Sequence, residues 1–296
     1  MKHGYPRIIG SGAAEAIPSP MCLCPVCETA RRRGGKDIRS RSCLRVSPGM
    51  QIDFGPDQFY QSWVLGNDLT GLTDILVTHT HADHLALAEF DLRALAVSGA
   101  AEPVTVHASR EGCRWIERAL ALHSDSALSY PPCYHLAAHP YFESFRAGGL
   151  DVTLLRGNHR GYGEGEDSAN YLIRLNDGKM LFYAVDTGYF LEETFEFLNS
   201  AHLDILVLDG TFGAFPRFQE ERASGHLGFP GVLAVVRRLL SQGTLEAGAM
   251  VCVTHISHRG GMCHNEMQAF YDAQGTGVRI LVGFDGMELT RSDAGR

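Results

Sequence analysis

The stretch Val77-Thr78-His79-Thr80-His81-Ala82-Asp83-His84, "VTHTHADH", packs three histidines and a carboxylate into six positions, 79 to 84. It ends an apolar run, "TDILVT", that predicts a strand over 73–78, and it leads into a segment that predicts a helix over 84–97. Alternate side chains of an extended backbone share a face, so His79 and His81 point the same way and can grip one ion. Asp83 and His84 fall at the turn into the helix, where they can reach a second ion. Neutral imidazole and carboxylate are the usual ligands of zinc, manganese and iron. A solvated loop with scattered histidines has no reason to keep this spacing directly after a strand.

One cluster cannot complete two sites, so other segments must contribute. Three loops that each follow an expected strand offer a donor: His159 in "LLRGNHRG", Asp186 in "FYAVDTG" and His255 in "CVTHISH". The expected strands are 6–9, 50–54, 73–78, 103–107, 151–155, 169–175, 179–185, 204–208, 249–254 and 278–282. The expected helices are 84–97, 109–122, 191–200, 229–241 and 263–273. Segments 169–175 and 179–185, joined by Asn176-Asp177-Gly178, read as a tight antiparallel hairpin. With neither a repeat nor a convincing linker, residues 1–296 read as a single α/β domain: two sheets with helices packed outside, an αββα sandwich.

Composition narrows the function classes. The chain has 296 residues, 45% of them hydrophobic, and a formal net charge of −8. That charge argues against long nucleic acid as a partner, which usually requires a basic face. Apolar runs fall short of the roughly 18–20 residues that a membrane span needs. The N-terminal apolar stretch is too short for a secretion signal, so a cytoplasmic, reducing location is expected. Of eight cysteines, Cys22, Cys24 and Cys27 lie within six residues, a Cys-x-Cys-x-x-Cys run that suits a tetrahedral structural zinc lacking one ligand.

The joint order of these donors resembles the metallo-β-lactamase superfamily of metal-dependent hydrolases, from "IIGSGAAEAIPSP" to "LVGFDGMEL". The resemblance implies a four-layer αββα fold with two divalent metals at one edge of the sheets. Carried over by motif, His79, His81 and His159 hold the first metal and Asp83, His84 and His255 the second, with Asp186 bridging. Such a pair lowers the pKa of a shared water, supplies hydroxide near neutral pH and offsets charge on a phosphodiester. Asp83 is also placed to orient that hydroxide. Zinc, manganese and iron all fit these ligands.

The cysteine run, with "RSRSCLRV", "THISH" and "GFDGMEL", looks like the PhnP branch, phosphodiesterases that open 5-phosphoribosyl 1,2-cyclic phosphate. In that branch the second histidine of "THISH" completes the structural zinc, which implicates His258. The branch's histidine near the leaving group matches His226 in "ASGHLGF", where it would bind phosphate or protonate the departing oxygen. Asp53 in "QIDFG" resembles the superfamily's aspartate that orients a ligand histidine. His107, His123, His135, His139, His202 and His264 lack partners at ligand spacing, and Trp63 and Trp115 read as core.

Some features depart from the branch. The loop "NHRGYGEGEDSAN" reads as solvated; Glu164, Glu166 and Asp167 would repel an anionic substrate only if they faced it. Extra sequence around 123–150 and 211–225 falls where substrate walls are expected. The run "RRRGGKDIRSRSCLR" offers seven basic residues, either a solvated face or a phosphate pocket. The leading expectation is a dinuclear phosphodiesterase acting on a small cyclic or nucleotide-like phosphodiester. A tRNA 3′-processing endonuclease shares the ligand set but wants a basic tRNA-gripping arm. An accessory binding protein like the PqqB-type relatives is the non-catalytic alternative. A homodimer is the commonest assembly for such chains.

Overall fold

The computed structural model describes residues 4–96, 102–123 and 133–290. In these segments thirteen strands form two sheets. The first sheet holds, side by side, β1 (Arg7–Gly10), β2 (Cys43–Ser47), β3 (Met50–Ile52), β4 (Asp74–Leu76), β5 (Val104–Ser109) and β6 (Tyr134–His139). It is antiparallel from β1 to β3 and parallel from β3 to β6. The second holds β7 (Ser144–Ala147), β8 (Leu150–Arg160), β9 (Asp167–Arg174), β10 (Met180–Ala184), β11 (Leu203–Asp209), β12 (Leu245–Thr254) and β13 (Ile280–Val282). It is antiparallel from β7 to β10 and parallel from β10 to β13.

Strand alternation sorts the apolar side chains into layers. In β11, Ile205 and Val207 face the first sheet, where they meet a core of Leu44, Ile52, Leu76, Leu154, Tyr171 and Tyr183. Leu206 and Leu208, one residue out of step, face the outer helices. Those helices are α5 (Glu192–Leu198), α6 (Phe229–Ser241) and α7 (His264–Asp272). Helix α6 buries Val232, Val235, Val236 and Leu239, the stripe a 3.6-residue period dictates. On the far side of the first sheet, Cys113 and Ile116 of α4 (Arg110–His123) cover Ile75, Val77, Val104 and Val106. The layers therefore run helix, sheet, sheet, helix, as the sequence implied. Each buried Val or Leu contributes about 1.5–3 kcal/mol relative to exposure. No helix among the described residues is long and apolar enough to cross a membrane.

Parallel pairing has a consequence for function. Strands β3 and β4, and strands β10, β11 and β12, all end at one edge of the sandwich, and β8 runs the same way as β10. Loops leaving those strands meet there.

The 169–175 and 179–185 hairpin forms as β9 and β10, closed by Leu175 N–H donating to Lys179 O (2.8 Å) with Gly178 at φ +86°. The helix expected over 84–97 does not start at His84. Leu85 pairs with Phe54 and Ala86 N–H donates to Phe54 O, so the chain stays extended there. A 3-10 turn over Leu87–Phe90 and the short α3 (Asp91–Ala94) follow, and residue 97 lies outside the described residues. Two further helices, α1 (Pro25–Arg33) and α2 (Gln58–Leu65), and strands β2, β6 and β7 were not expected. From Cys133 to Leu150 the chain builds sheet edges rather than a substrate wall; 124–132 lie outside the described residues. Trp63, expected in the core, is 81% exposed on α2.

The basic run is not a phosphate pocket as a whole. Arg45 is buried and donates to the Pro48 and Asp68 carbonyls. Arg39, also buried, donates to Ser11 Oγ and Gly283 O and meets His264 Nδ1 at 3.2 Å. Burial, with Arg39 and Lys36 nearby, pushes the His264 pKa down to about 4 from 6.5. The unfolded chain therefore takes up this proton first, and stability falls as pH drops from 6.5 through about 4. In urea titrations at several pH values, His264→Gln is expected to flatten that slope relative to the parent. Equal slopes would show that His264 titrates alike in both states.

Candidate metal centre

The segment after β4 turns sharply, with His84 N–H and Leu85 N–H both donating to His81 O. It places His79 Nε2 at 2.9 Å from His81 Nδ1. His159, near the end of β8, brings its Nε2 to 3.3 Å from the same His81 nitrogen. Beside this trio, His84 Nε2 lies 3.1 Å from Asp83 Oδ2 and 3.3 Å from His255 Nε2. Asp186, just past β10, stands between the groups: its Oδ2 is 2.5 Å from His84 Nε2 and 3.0 Å from His255 Nε2. It also clusters with His79. The structure thus brings together all seven residues that the resemblance named for two metals.

The far side of each imidazole fixes which nitrogen is a lone pair. His84 Nδ1–H donates to Asp53 Oδ2 at 2.7 Å, and Asp53 Oδ1 accepts from Thr78 N–H and Oγ1–H. His255 Nδ1–H donates to Thr211 Oγ1 (2.7 Å), His159 Nδ1–H to Gly225 O (3.1 Å) and His79 Nδ1–H to Thr78 Oγ1 (3.1 Å). With those protons committed, the Nε2 lone pairs of these four rings face the other donors. Asp186 Oδ2 is buried and has no hydrogen-bond partner, despite two ring nitrogens within 3.0 Å. Cations between these groups would satisfy that oxygen and relieve the lone-pair contacts, so the residues fit a dinuclear centre.

The carboxylates around His84 draw positive charge to the spot where a cation would displace its Nε2 proton. Burial alone would lower the His84 pKa, but Asp186, Asp83 and Asp53 raise it well above the ordinary imidazole value. Burial opposes charge on Asp186, yet His255 and His84 lower its pKa well below the carboxylate range. His79 and His159 are pushed down by burial, His159 to about 4, so both are neutral donors at physiological pH. Asp53, Asp186 and His255 have φ of +66°, +51° and +60°, left-handed backbone that non-glycine residues adopt at some cost. Each stands within two residues of a strand's end, where the chain must reverse to aim its side chain.

His226 sits at the rim, stacked 5.5 Å from the His255 ring. Its Nδ1–H donates to Asp209 Oδ2 at 3.1 Å and lies 3.4 Å from Asp186 Oδ1. Burial works against its charge, but Asp209 holds its pKa up at about 9. Asp209 and Thr211 escaped the sequence reading. Asp209 is buried at the end of β11, and also accepts from Thr211 Oγ1–H and Leu227 N–H. It was open to the same rule that found Asp186, an aspartate after an apolar strand. Glu166, expected in solvent, is buried and points inward: it accepts from Thr80 N–H, Thr80 Oγ1–H and Gly163 N–H. Asp167 is engaged by Arg160 and Arg156, and Glu164 is exposed.

A second cluster lies nearby. His258 Nδ1 is 3.3 Å from Cys22 Sγ, 3.3 Å from Cys24 Sγ and 3.4 Å from Cys27 Sγ. Its other nitrogen faces Glu15 Oε1 at 3.4 Å, the carboxylate that fixes a ligand histidine's tautomer. Three sulfurs and one nitrogen at these separations fit a tetrahedral zinc.

Comparison with known proteins places this geometry in context. The family model described as a β-lactamase superfamily domain matches residues 50–256. A diphosphatase from the PhnP family superposes with a TM-score of 0.70 at 20% identity, covering 95% of this chain and 94% of that one. Zn(2+)-bound PqqB from Methylobacterium extorquens gives 0.70 at 20% identity, covering 95% and 98%. The short form of human tRNase Z gives 0.61 at 16% identity, covering 95% and 96%. No curated protein sequence matches the chain.

Asp53→Asn is expected to weaken cation binding at His84 about 10–100-fold, because that ring loses its anchor. Metal titration of the apoprotein reads this directly, and an unchanged affinity would remove Asp53 from the site. Cys27→Ser is expected to cost one zinc per chain by elemental analysis and to lower Tm, while leaving catalytic-site titration measurable.

Proposed function

Because this chain belongs to the β-lactamase superfamily domain family, we propose that it is a metal-dependent hydrolase, a phosphodiesterase working with two divalent cations. The observation that carries the reading is the convergence of His79, His81, His159, Asp83, His84, His255 and Asp186, with the Asp186 oxygen left to a cation. Bound there, two cations would supply Lewis acidity toward phosphoryl oxygens and a lowered pKa for water. On this reading the first cation is held by His79, His81 and His159, the second by Asp83, His84 and His255, with Asp186 shared. Zinc, manganese and iron remain the candidates, with a structural zinc on Cys22, Cys24, Cys27 and His258.

The protein's own groups have distinct tasks. Asp53 and Thr211 keep His84 and His255 aimed through their Nδ1 protons. Asp83 is the carboxylate that orients the attacking water. His226, kept protonated by Asp209, delivers a proton to the departing oxygen. The substrate is a small cyclic or nucleotide-like phosphodiester. Similarity to a PhnP-family diphosphatase supports phosphoryl chemistry, and the net charge of −8 argues against a long polynucleotide. A cytoplasmic location fits a site that depends on reduced thiols.

Protein reconstituted with manganese or zinc is expected to hydrolyse bis-p-nitrophenyl phosphate, and Asp186→Ala to reduce kcat/KM to background. Undiminished activity in that variant would overturn the mechanism. Loaded protein that turns over none of a panel of phosphodiesters would instead favour a PqqB-like binding role. His226→Asn should slow a diester with an alkoxide leaving group by about 10²–10⁴. The same variant should slow release of p-nitrophenolate far less, since that group leaves without a proton. Equal losses on both would deny His226 the acid role.

A further inference from the structure

A continuous arc of rings borders the metal centre. Tyr162 packs on His81 with centroids 4.5 Å apart, His81 on His159 at 5.1 Å, His159 on His226 at 4.6 Å, and His226 edge-on to Phe212 at 5.4 Å. Phe212 is buried in a stack with Phe218 at 3.7 Å. Tyr162, at the opposite end, is 58% exposed although its neighbour in the arc is a ligand histidine.

The fold spends considerable structure on holding that ring in the open. Tyr162 N–H donates to Thr80 Oγ1 at 2.9 Å, and Thr80 in turn donates to the buried Glu166. The loop wraps so closely around Glu166 that a Cβ at Gly161 would lie 2.2 Å from its carboxylate, and one at Gly163 2.8 Å. Trp115 of α4 stands behind Tyr162 at 5.9 Å. A tyrosine needed only for packing would be folded inward. This one is pinned through its backbone to Thr80, between His79 and His81, with more than half of its surface left to solvent beside the ligand histidines.

We propose that Tyr162 is a specificity residue: it stacks against the flat ring of a nucleobase carried by the arm of the phosphodiester that stays with the phosphate. This inference rests on the phosphodiesterase reading for its orientation. Tyr162 and His226 stand on opposite sides of the His81–His159 pair, so the arm held at Tyr162 is the one remote from His226. Among the described residues, four arginines are already engaged by protein groups. Arg41 is paired with Asp57, Arg156 with Glu193, Arg160 with Asp167, and Arg222 lies over the Tyr189 ring. Stacking on every base's π-face supplies the affinity that a phosphate clamp would otherwise give. The substrate class is therefore a nucleoside phosphodiester, with a nucleoside monophosphate as product.

The test uses two diesters that release the same p-nitrophenolate: thymidine 5′-(p-nitrophenyl) phosphate and methyl p-nitrophenyl phosphate. The parent should favour the thymidine ester in kcat/KM by about tenfold or more, through KM, the size of one base–aromatic stack. Tyr162→Ala should collapse that ratio, and Tyr162→Phe should keep it. Calorimetry supplies a readout independent of turnover: thymidine 5′-monophosphate should bind the metal-loaded parent more tightly than methyl phosphate, a preference that Tyr162→Ala removes. Equal losses on both esters, or a ratio that survives Tyr162→Ala, would overturn the proposal while leaving the hydrolase reading intact. A Tyr162-dependent nucleotide preference in a protein that cleaves neither ester would do the reverse, sustaining the stack and refuting the hydrolase.

Discussion

Lone pairs aimed at one another repel, and the edge where the two sheets meet is furnished with little else. A carboxylate oxygen stands 2.5 Å from a ring nitrogen whose proton is on the other side of the ring, and two further ring nitrogens approach to 2.9 Å. Without a cation, relief comes from a second proton on His84, which Asp186, Asp83 and Asp53 favour by raising its pKa well above the ordinary imidazole value; the other rings keep lone pairs facing lone pairs. The arrangement persists because four of the rings are fixed from behind, by Asp53, Thr78, Thr211 or the Gly225 carbonyl, and the first three of these anchors follow closely on strands packed in the core. The left-handed backbone at Asp53, Asp186 and His255 adds a cost of order 1–3 kcal/mol each. A cation turns the same contacts into attractions, so on the proposed reading metal binding and folding stability are linked.

The cysteine cluster bears on the same edge. His255 and His258 share one short turn after β12, and the N-terminal loop is laced to it: Ala13 N–H donates to Ile256 O, and Ile256 N–H to Ser11 O. Glu15 from that loop accepts from Ser257 Oγ–H and faces His258. A zinc on the three cysteines and His258 would staple the loop to the turn that aims His255. Its contribution to the catalytic edge is one of position, exerted over three residues of chain.

The donor set was legible because it is local in sequence where it is densest and follows strands where it is not. The run from His79 to His84 announces itself, and His159, Asp186 and His255 share a rule, a donor after an apolar strand. Asp209 obeys that rule too and clusters with Asp186, His226 and His255, bonding Thr211 and His226, but no motif spacing in the sequence pointed to it. Glu166 was misread because an acid in a glycine-rich loop looks solvated; its burial depends on two glycines that let the loop close around it. The missed elements hide behind polar side chains. Helix α2 buries Gln58 and Gln61, which bond to Gly55 O, Ser40 and Arg41 O, and exposes Phe59 and Trp63. That is amphipathicity turned inside out. Strand β2 carries Arg45 into the interior, its charge met by carbonyls, and a period-2 apolar test passes over it.

An acidic protein that is to bind an anion must do so against its own field. With a formal charge of −8, attraction toward phosphate has to be local, and screening confines unfavourable long-range effects to about 8–10 Å at physiological salt. Under those terms a diester is the easier guest, since it has one negative charge where a monoester has about 1.5 to 2 at neutral pH. Two cations in the cage would outweigh that single charge. Affinity beyond the phosphoryl group would then have to come from contacts that are indifferent to charge. On the proposed reading the exposed Tyr162 ring at the open end of the arc would provide such a contact, so the shape of the rim, more than the net charge, would set the choice of substrate.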